Sequence, residues 1–137
     1  MTAEGAKPFA GAKIVIADDS QTIRHTLQAL LGAAGCQVVT AFDGFDVLAK
    51  IVDEQPQLVF LDIMMPRLDG YQACALIKRN PDYRHIRVVL LSAKAGVFDR
   101  ARGRVVMADD FLVKPFSRDE LFDILRRQLG AIRPSED

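Results

Sequence analysis

LVFLDIMMPRLDGY, residues 58–71, decides how this chain folds. Leu58–Leu61 is an unbroken apolar run, Asp62 closes it, and Pro66 and Asp69-Gly70 follow shortly after. Consecutive apolar residues without polar alternation predict a strand covered on both faces, as in a parallel sheet flanked by helices. Such a strand has little reason to end in a lone carboxylate unless the carboxylate has work to do.

The sequence on either side repeats the pattern. Lys13–Ala17 (KIVIA), Gln37–Phe42 (QVVTAF), Arg87–Leu91 (RVVLL) and Phe111–Val113 read as further strands. Helical periodicity fills the intervals. Ser20 is placed to cap a helix carrying Ile23, Leu27, Leu30, Leu31 and Ala34, which Gly35 stops. Val47, Leu48 and Ile51 mark a second helix, ending before Pro56. Tyr71–Asn80, with Cys74 and Ile77 inward, marks a third, and Pro81 lies just beyond it. Residues 97–107 predict a weak helix, because Gly96 and Gly103 each cost roughly 1 kcal/mol at an interior helical site. Ser117-Arg-Asp-Glu120 is a capping box opening a last helix with Leu121, Ile124, Leu125 and Leu129 on one side. Residues 1–12 read as a flexible lead-in and 131–137 as a short tail, leaving 13–130 as one domain. Five strands alternating with five helices predict a doubly wound α/β fold: a parallel sheet of order 2-1-3-4-5, flavodoxin-like.

The 137 residues carry 18 Lys and Arg against 18 Asp and Glu, giving a formal net charge of zero. This balance argues against nucleic acid or an acidic membrane as the partner, since both select a basic face. Cys36 and Cys74 are far apart and read as small hydrophobes of a reduced protein. No apolar run is long enough to span a membrane and no signal peptide is visible, so the expected location is the cytoplasm without membrane insertion.

Ligands of this fold bind at the carboxyl ends of the strands, near the switch point. There the sequence places Asp18-Asp19, Asp62, Ser92 and Lys114-Pro115. Three neighbouring carboxylates repel one another unless a cation lies among them, and oxygen donors without His or Cys suit a hard ion such as Mg²⁺. Lys114 can hold a carboxylate at rest or a phosphoryl oxygen after transfer, and Ser92 can donate to the same oxygen. An aspartate so placed can act as a nucleophile and form an aspartyl phosphate. Asp62 is therefore expected to be a phosphoacceptor presented at the tip of a rigid strand. Pro66 fixes the loop after it, Asp69 caps the third helix, and Gly70 permits a tight turn.

Asp18-Asp19, the run Asp62-Ile-Met-Met-Pro66-Arg-Leu-Asp69-Gly70, Ser92-Ala93 and Lys114-Pro115-Phe116 resemble the receiver domains of response regulators, the chemotaxis-regulator (CheY-like) family. The resemblance implies that Asp18, Asp19 and Asp62 hold Mg²⁺, with the backbone carbonyl of Met64 as a further ligand, and that Ser92 and Lys114 contact the phosphoryl group. It implies that Phe111 and Ser92 form a switch and that the fourth helix, fifth strand and fifth helix are the output face; the Lys114-Pro115 bond is usually cis in the family, which the sequence alone does not predict. More finely, IMMPRLDGYQACALIK, DGFDVLAKI and FDRARGRVV resemble the stand-alone regulators of type IV pilus twitching-motility systems (PilG-like). That implies a CheA-like histidine kinase or phosphotransfer domain as phosphodonor, and a protein effector such as pilus motor machinery. No DNA-binding or enzymatic domain is recognisable after residue 130.

Some positions depart from the family pattern. Met107-Ala108 stands where Gly-Ala is usual, and Met64 and Lys94 occupy positions that tune attack of water on the phosphoryl group. Shielding by these two side chains would give slow autodephosphorylation. Taken singly, Asp18-Asp19 reads as a helix cap, Asp69-Gly70 as a turn, Ser92 as a loop serine, Phe111 as core and Met64-Met65 as packing. His25 and His85 read as solvated, and Arg100, Arg102 and Arg104 as a wet basic face.

Other functions fit less well. An α/β phosphatase with an aspartate nucleophile needs an acid two residues later, where Met64 stands. A nucleotide or flavin binder needs a glycine-rich loop after the first strand, where Asp18-Asp19-Ser20 stands. A receiver that serves only as a scaffold, never phosphorylated, has no need of the full acidic set.

Overall fold

Leu58–Asp62 forms strand β3, buried at every position. The structure is a computed structural model and describes residues 7–93 and 96–130. Around β3 lie β1 (Lys13–Ala17), β2 (Gln37–Ala41), β4 (Arg87–Ser92) and β5 (Asp110–Val113), alternating with α1 (Gln21–Ala33), α2 (Gly44–Glu54), α3 (Gly70–Arg79), α4 (Val97–Val105) and α5 (Arg118–Leu129). The sheet is parallel in the order β2-β1-β3-β4-β5, as the periodicity predicts.

Alternation along each strand sends side chains to opposite faces. Ile14, Ile16, Phe60 and Leu91 pack with Leu27 and Leu31 of α1 and Leu121 and Leu125 of α5. Val15, Val59, Leu61 and Leu90 pack with Val47 and Ile51 of α2 and Tyr71, Cys74 and Ile77 of α3. Both faces of the central strands are thus covered, which is why β1, β3 and β4 show no polar alternation. No helix among the described residues is long and apolar enough to cross a membrane.

Helix ends follow the sequence closely. Asp69 and Gln72 form a capping box on α3, Ser117 and Glu120 another on α5, and Ser20 accepts from Ile23 N–H at α1. Two helices close with the same hydrogen-bond pattern. After α1, Gly35 N–H reaches Gly32 O at 3.0 Å and Cys36 N–H reaches Leu31 O at 3.1 Å; after α4, Met107 N–H reaches Arg104 O and Ala108 N–H reaches Gly103 O, each at 3.0 Å. Both motifs need a left-handed residue, supplied by Gly35 at φ 97° and by Met107 at φ 66°. The departure from glycine at position 107 is therefore a strained one.

Two expectations are corrected. Residues 7–12 are not a loose lead-in: Phe9 is buried, its N–H donates to Ala34 O at 3.1 Å, and its ring meets Phe122 of α5 edge-on, centroids 6.1 Å apart. The apolar ring and the close approach of the turn to Gly35, where a Cβ would lie 2.7 Å from Lys7 Cβ, bind this segment to the domain. Residues 1–6 and the tail at 131–137 lie outside the described residues. Arg100 and Arg102 of α4 are exposed but not merely wet: the Arg100 guanidinium lies 5.1 Å from the Phe111 ring centroid, and that of Arg102 lies 4.5 Å from the Tyr71 centroid.

Candidate phosphoacceptor site

The register brings the polar residues to one edge. Ala17, Leu61 and Ala41 are aligned across β1, β3 and β2, so Asp18, Asp62 and Phe42 emerge side by side. Ser92 pairs in register with Val113, and Lys114 N–H donates to Ser92 O at 2.7 Å.

Asp18 has no exposed surface. Its Oδ1 accepts from Ser20 N–H at 2.8 Å, its Oδ2 lies 3.0 Å from Lys114 Nζ, and its carbonyl accepts from an Arg24 guanidinium N–H at 2.6 Å. Asp62 is 3% exposed. Its Oδ1 accepts from Met64 N–H at 3.0 Å and its Oδ2 lies 3.4 Å from Lys114 Nζ. Asp19 is exposed at the mouth. Carboxylate oxygens of Asp18, Asp19 and Asp62 lie within 4.8 Å of one another.

The loop after Asp62 is held tightly. A Cβ at Gly70 would stand 2.5 Å from Asp62 O, and one at Gly44 would stand 2.4 Å from Leu68 O, so neither position admits a larger residue without movement. Arg67, at φ 71°, pairs with Asp43 at 3.0 Å and ties the loop to the start of α2. These contacts fix the backbone that presents Asp62.

Burial away from water pushes the Asp62 carboxyl up from its ordinary 3.8 to about 6; the Met64 N–H opposes this, the Asp18 charge adds to it, and Lys114 opposes it. For Lys114, burial favours the neutral amine, but the hydrogen bond to Asp18 and the charges of Asp62 and Asp18 outweigh it and raise the pKa. An all-oxygen donor set converging on a point suits a hard divalent cation.

Among the residues singled out from sequence, Asp18, Asp19, Asp62 and Lys114 meet, and Ser92 is buried beside them at the end of β4. Phe111 is half-buried on β5, packed with the Leu90 cluster. Lys114-Pro115 is cis. Met65 is core, whereas Met64 is 74% exposed and is not packing. His25 and His85 are exposed, and Lys94 lies outside the described residues. Two groups escaped the sequence reading. Arg24 braces the Asp18 backbone; its position four residues after the Ser20 cap was the available signal. Lys78 is 8% exposed and reaches Asp109 at 2.6 Å and the carbonyls of Arg84 and Ile86. It falls on the Tyr71, Cys74 stripe, where a lysine signals a buried pair.

The family model described as "Response regulator receiver domain" matches residues 14–126. The chain is 52% identical over 124 residues to Protein PilG of Pseudomonas aeruginosa, covering 90% of this chain and 92% of that protein. Longer curated relatives also match, and the chain spans less than half of their length. Among solved structures, chemotaxis protein CheY4 of Vibrio cholerae superposes with a TM-score of 0.82 at 30% identity, over 87% of this chain and 99% of that one. The receiver domain of a sensor histidine kinase from Pseudomonas aeruginosa, solved with a magnesium ion in its active-site cleft, superposes with a TM-score of 0.81 at 30% identity, over 88% and 99%.

Proposed function

This chain belongs to the response regulator receiver domain family, and from that premise we propose that it is a response regulator that accepts a phosphoryl group on Asp62 from a histidine kinase. The observation that carries the reading is the convergence of Asp18, Asp19 and Asp62 oxygens within 4.8 Å beside the Lys114 ammonium.

Asp18, Asp19 and Asp62, with the Met64 carbonyl, are the groups that would hold Mg²⁺. Bound there, the ion offsets negative charge on the group in transit. The residues of the chain do the rest. An Asp62 oxygen attacks phosphorus as the bond from phosphorus to the donor imidazole nitrogen breaks; the imidazole keeps that electron pair and later takes a proton from solvent. The Lys114 ammonium, already 3.4 Å from Asp62, pairs with a phosphoryl oxygen, and the Ser92 hydroxyl donates to another. Burial of Asp62 keeps water away from the acyl phosphate. Met64 offers no proton to a leaving group, which favours a signalling module over a phosphatase with turnover.

Engagement of Ser92 by phosphate gives the switch its differential contact. Phe111, on the neighbouring strand, transmits it to the face made by α4, β5 and α5, where a downstream protein binds. Similarity to Protein PilG supports a role in type IV pilus motility; in this reading the donor is a CheA-like kinase or phosphotransfer domain and the chain acts in the cytoplasm.

Incubation with Mg²⁺ and acetyl phosphate tests the central step. Intact-mass measurement is expected to show one added phosphoryl group on the wild type, none on Asp62→Ala, and none in EDTA. Labelling that persists in Asp62→Ala overturns the assignment.

A further inference from the structure

Phe42, Phe45 and Met64 are large apolar residues exposed to 63%, 52% and 74%, and all three emerge at the carboxyl edge that holds the acids. Phe42 follows Ala41, the register partner of the residue before Asp18. One guanidinium links it to the site: Arg24 donates to Asp18 O at 2.6 Å and lies 5.5 Å from the Phe42 ring centroid. Phe45 sits in the first turn of α2, and Arg67, paired with Asp43, lies 5.3 Å from its centroid. Met64 donates its amide to Asp62 itself.

Stacked arginines pin both rings while leaving much of each in water, an arrangement that the chain's own packing does not require. The occupant follows from the chemistry of the site. Asp62 is 3% exposed, so a phosphohistidine can bring phosphorus to it only if the donor protein's surface closes over this rim. The apolar side chains are then removed from water during transfer, and the guanidiniums of Arg24 and Arg67, stacked on the two rings, add positive charge to the rim.

We propose that Phe42 and Phe45, held by Arg24 and Arg67, are the docking rim that selects the phosphodonor. The matching partner is a phosphotransfer domain whose phosphohistidine is flanked by apolar side chains and by acidic residues. The proposal rests on the phosphoacceptor reading of Asp62 and adds the determinant of partner choice to it.

The test compares a protein donor with a small one. The full chain is presented with a panel of histidine phosphotransfer domains from the host cell, each phosphorylated by its kinase and ATP, and separately with acetyl phosphate. The double variant Phe42→Ser/Phe45→Ser is expected to lose at least tenfold in kcat/KM with the donor that labels the wild type fastest, with its acetyl phosphate labelling unchanged. Phe42→Leu/Phe45→Leu is expected to recover most of the loss. Circular dichroism on each variant reports the fold. Unchanged transfer from the protein donor overturns the proposal, as does an equal loss with acetyl phosphate, or a panel in which no donor outpaces acetyl phosphate on the wild type. Failure of the wild type to be labelled by acetyl phosphate would instead remove the phosphoacceptor reading.

Discussion

The Lys114 ammonium is bridged at 3.0 Å to Asp18, a carboxylate without exposed surface. Removing one partner of such a pair strands the other. Lys114→Met is therefore expected to cost about 1–3 kcal/mol at neutral pH in EDTA, the upper range being reduced because the ammonium is partly open to water. The raised Lys114 pKa keeps this contribution through neutral pH and loses it only above the ordinary value of 10.5. Urea denaturation measures it, and saturating Mg²⁺ is expected to shrink the deficit. Equal stability of variant and wild type in EDTA would contradict the pairing.

Asp62 gives a pH dependence of the same sign in a lower pH range, but here it is the ionised form that the fold disfavours. Its carboxyl is held at about 6 in the folded protein against an ordinary 3.8. Between those values the native state binds more protons than the unfolded one, so stability falls as pH rises and the whole penalty remains above pH 6. The rise corresponds to about 2–3 kcal/mol at most. Asp62→Asn is expected to be more stable than wild type by on the order of 2 kcal/mol at pH 7.5 without divalent cations, and to converge with it near pH 4. Thermal melts across that range check the slope, and a variant less stable than wild type at pH 7.5 would reverse the sign.

Met107 occupies a left-handed position at φ 66° that Gly35 fills in the equivalent motif after α1. Its side chain is 65% exposed, so little packing offsets the strain. Met107→Gly is expected to stabilise the fold by about 0.5–1 kcal/mol, read as a higher denaturation midpoint with an unchanged slope.

Phe9 is buried against Phe122 although it precedes the first strand. Phe9→Ala is expected to cost about 2–4 kcal/mol, since a large ring leaves a void between the turn and α5. A loss below about 0.5 kcal/mol in urea denaturation, the size typical of a surface change, would show that the segment is not part of the core.

The strands, their order and the acidic pocket were legible because each rests on a local signal. Apolar runs without alternation mark β1, β3 and β4, and a polar residue ending each run marks the edge where the site lies. What escaped depends on residues far apart in sequence. Nothing near Phe9 announces Phe122, and nothing near Arg102 announces Tyr71, because stacking partners leave no periodic trace. Lys78 was hidden by its own chemistry: a lysine on an apolar stripe looks misplaced until Asp109, thirty-one positions on, supplies the counter-charge. Met64 and Met65 illustrate the reverse, since adjacent identical residues after a strand end part company, one buried and one facing solvent.

Grafting experiments inherit a constraint from the turn at residues 7–11. A chimaera whose junction is cut at Lys13, the start of β1, would discard the ring that packs edge-on against Phe122 of α5. The smallest portable version of this module begins upstream of its first strand.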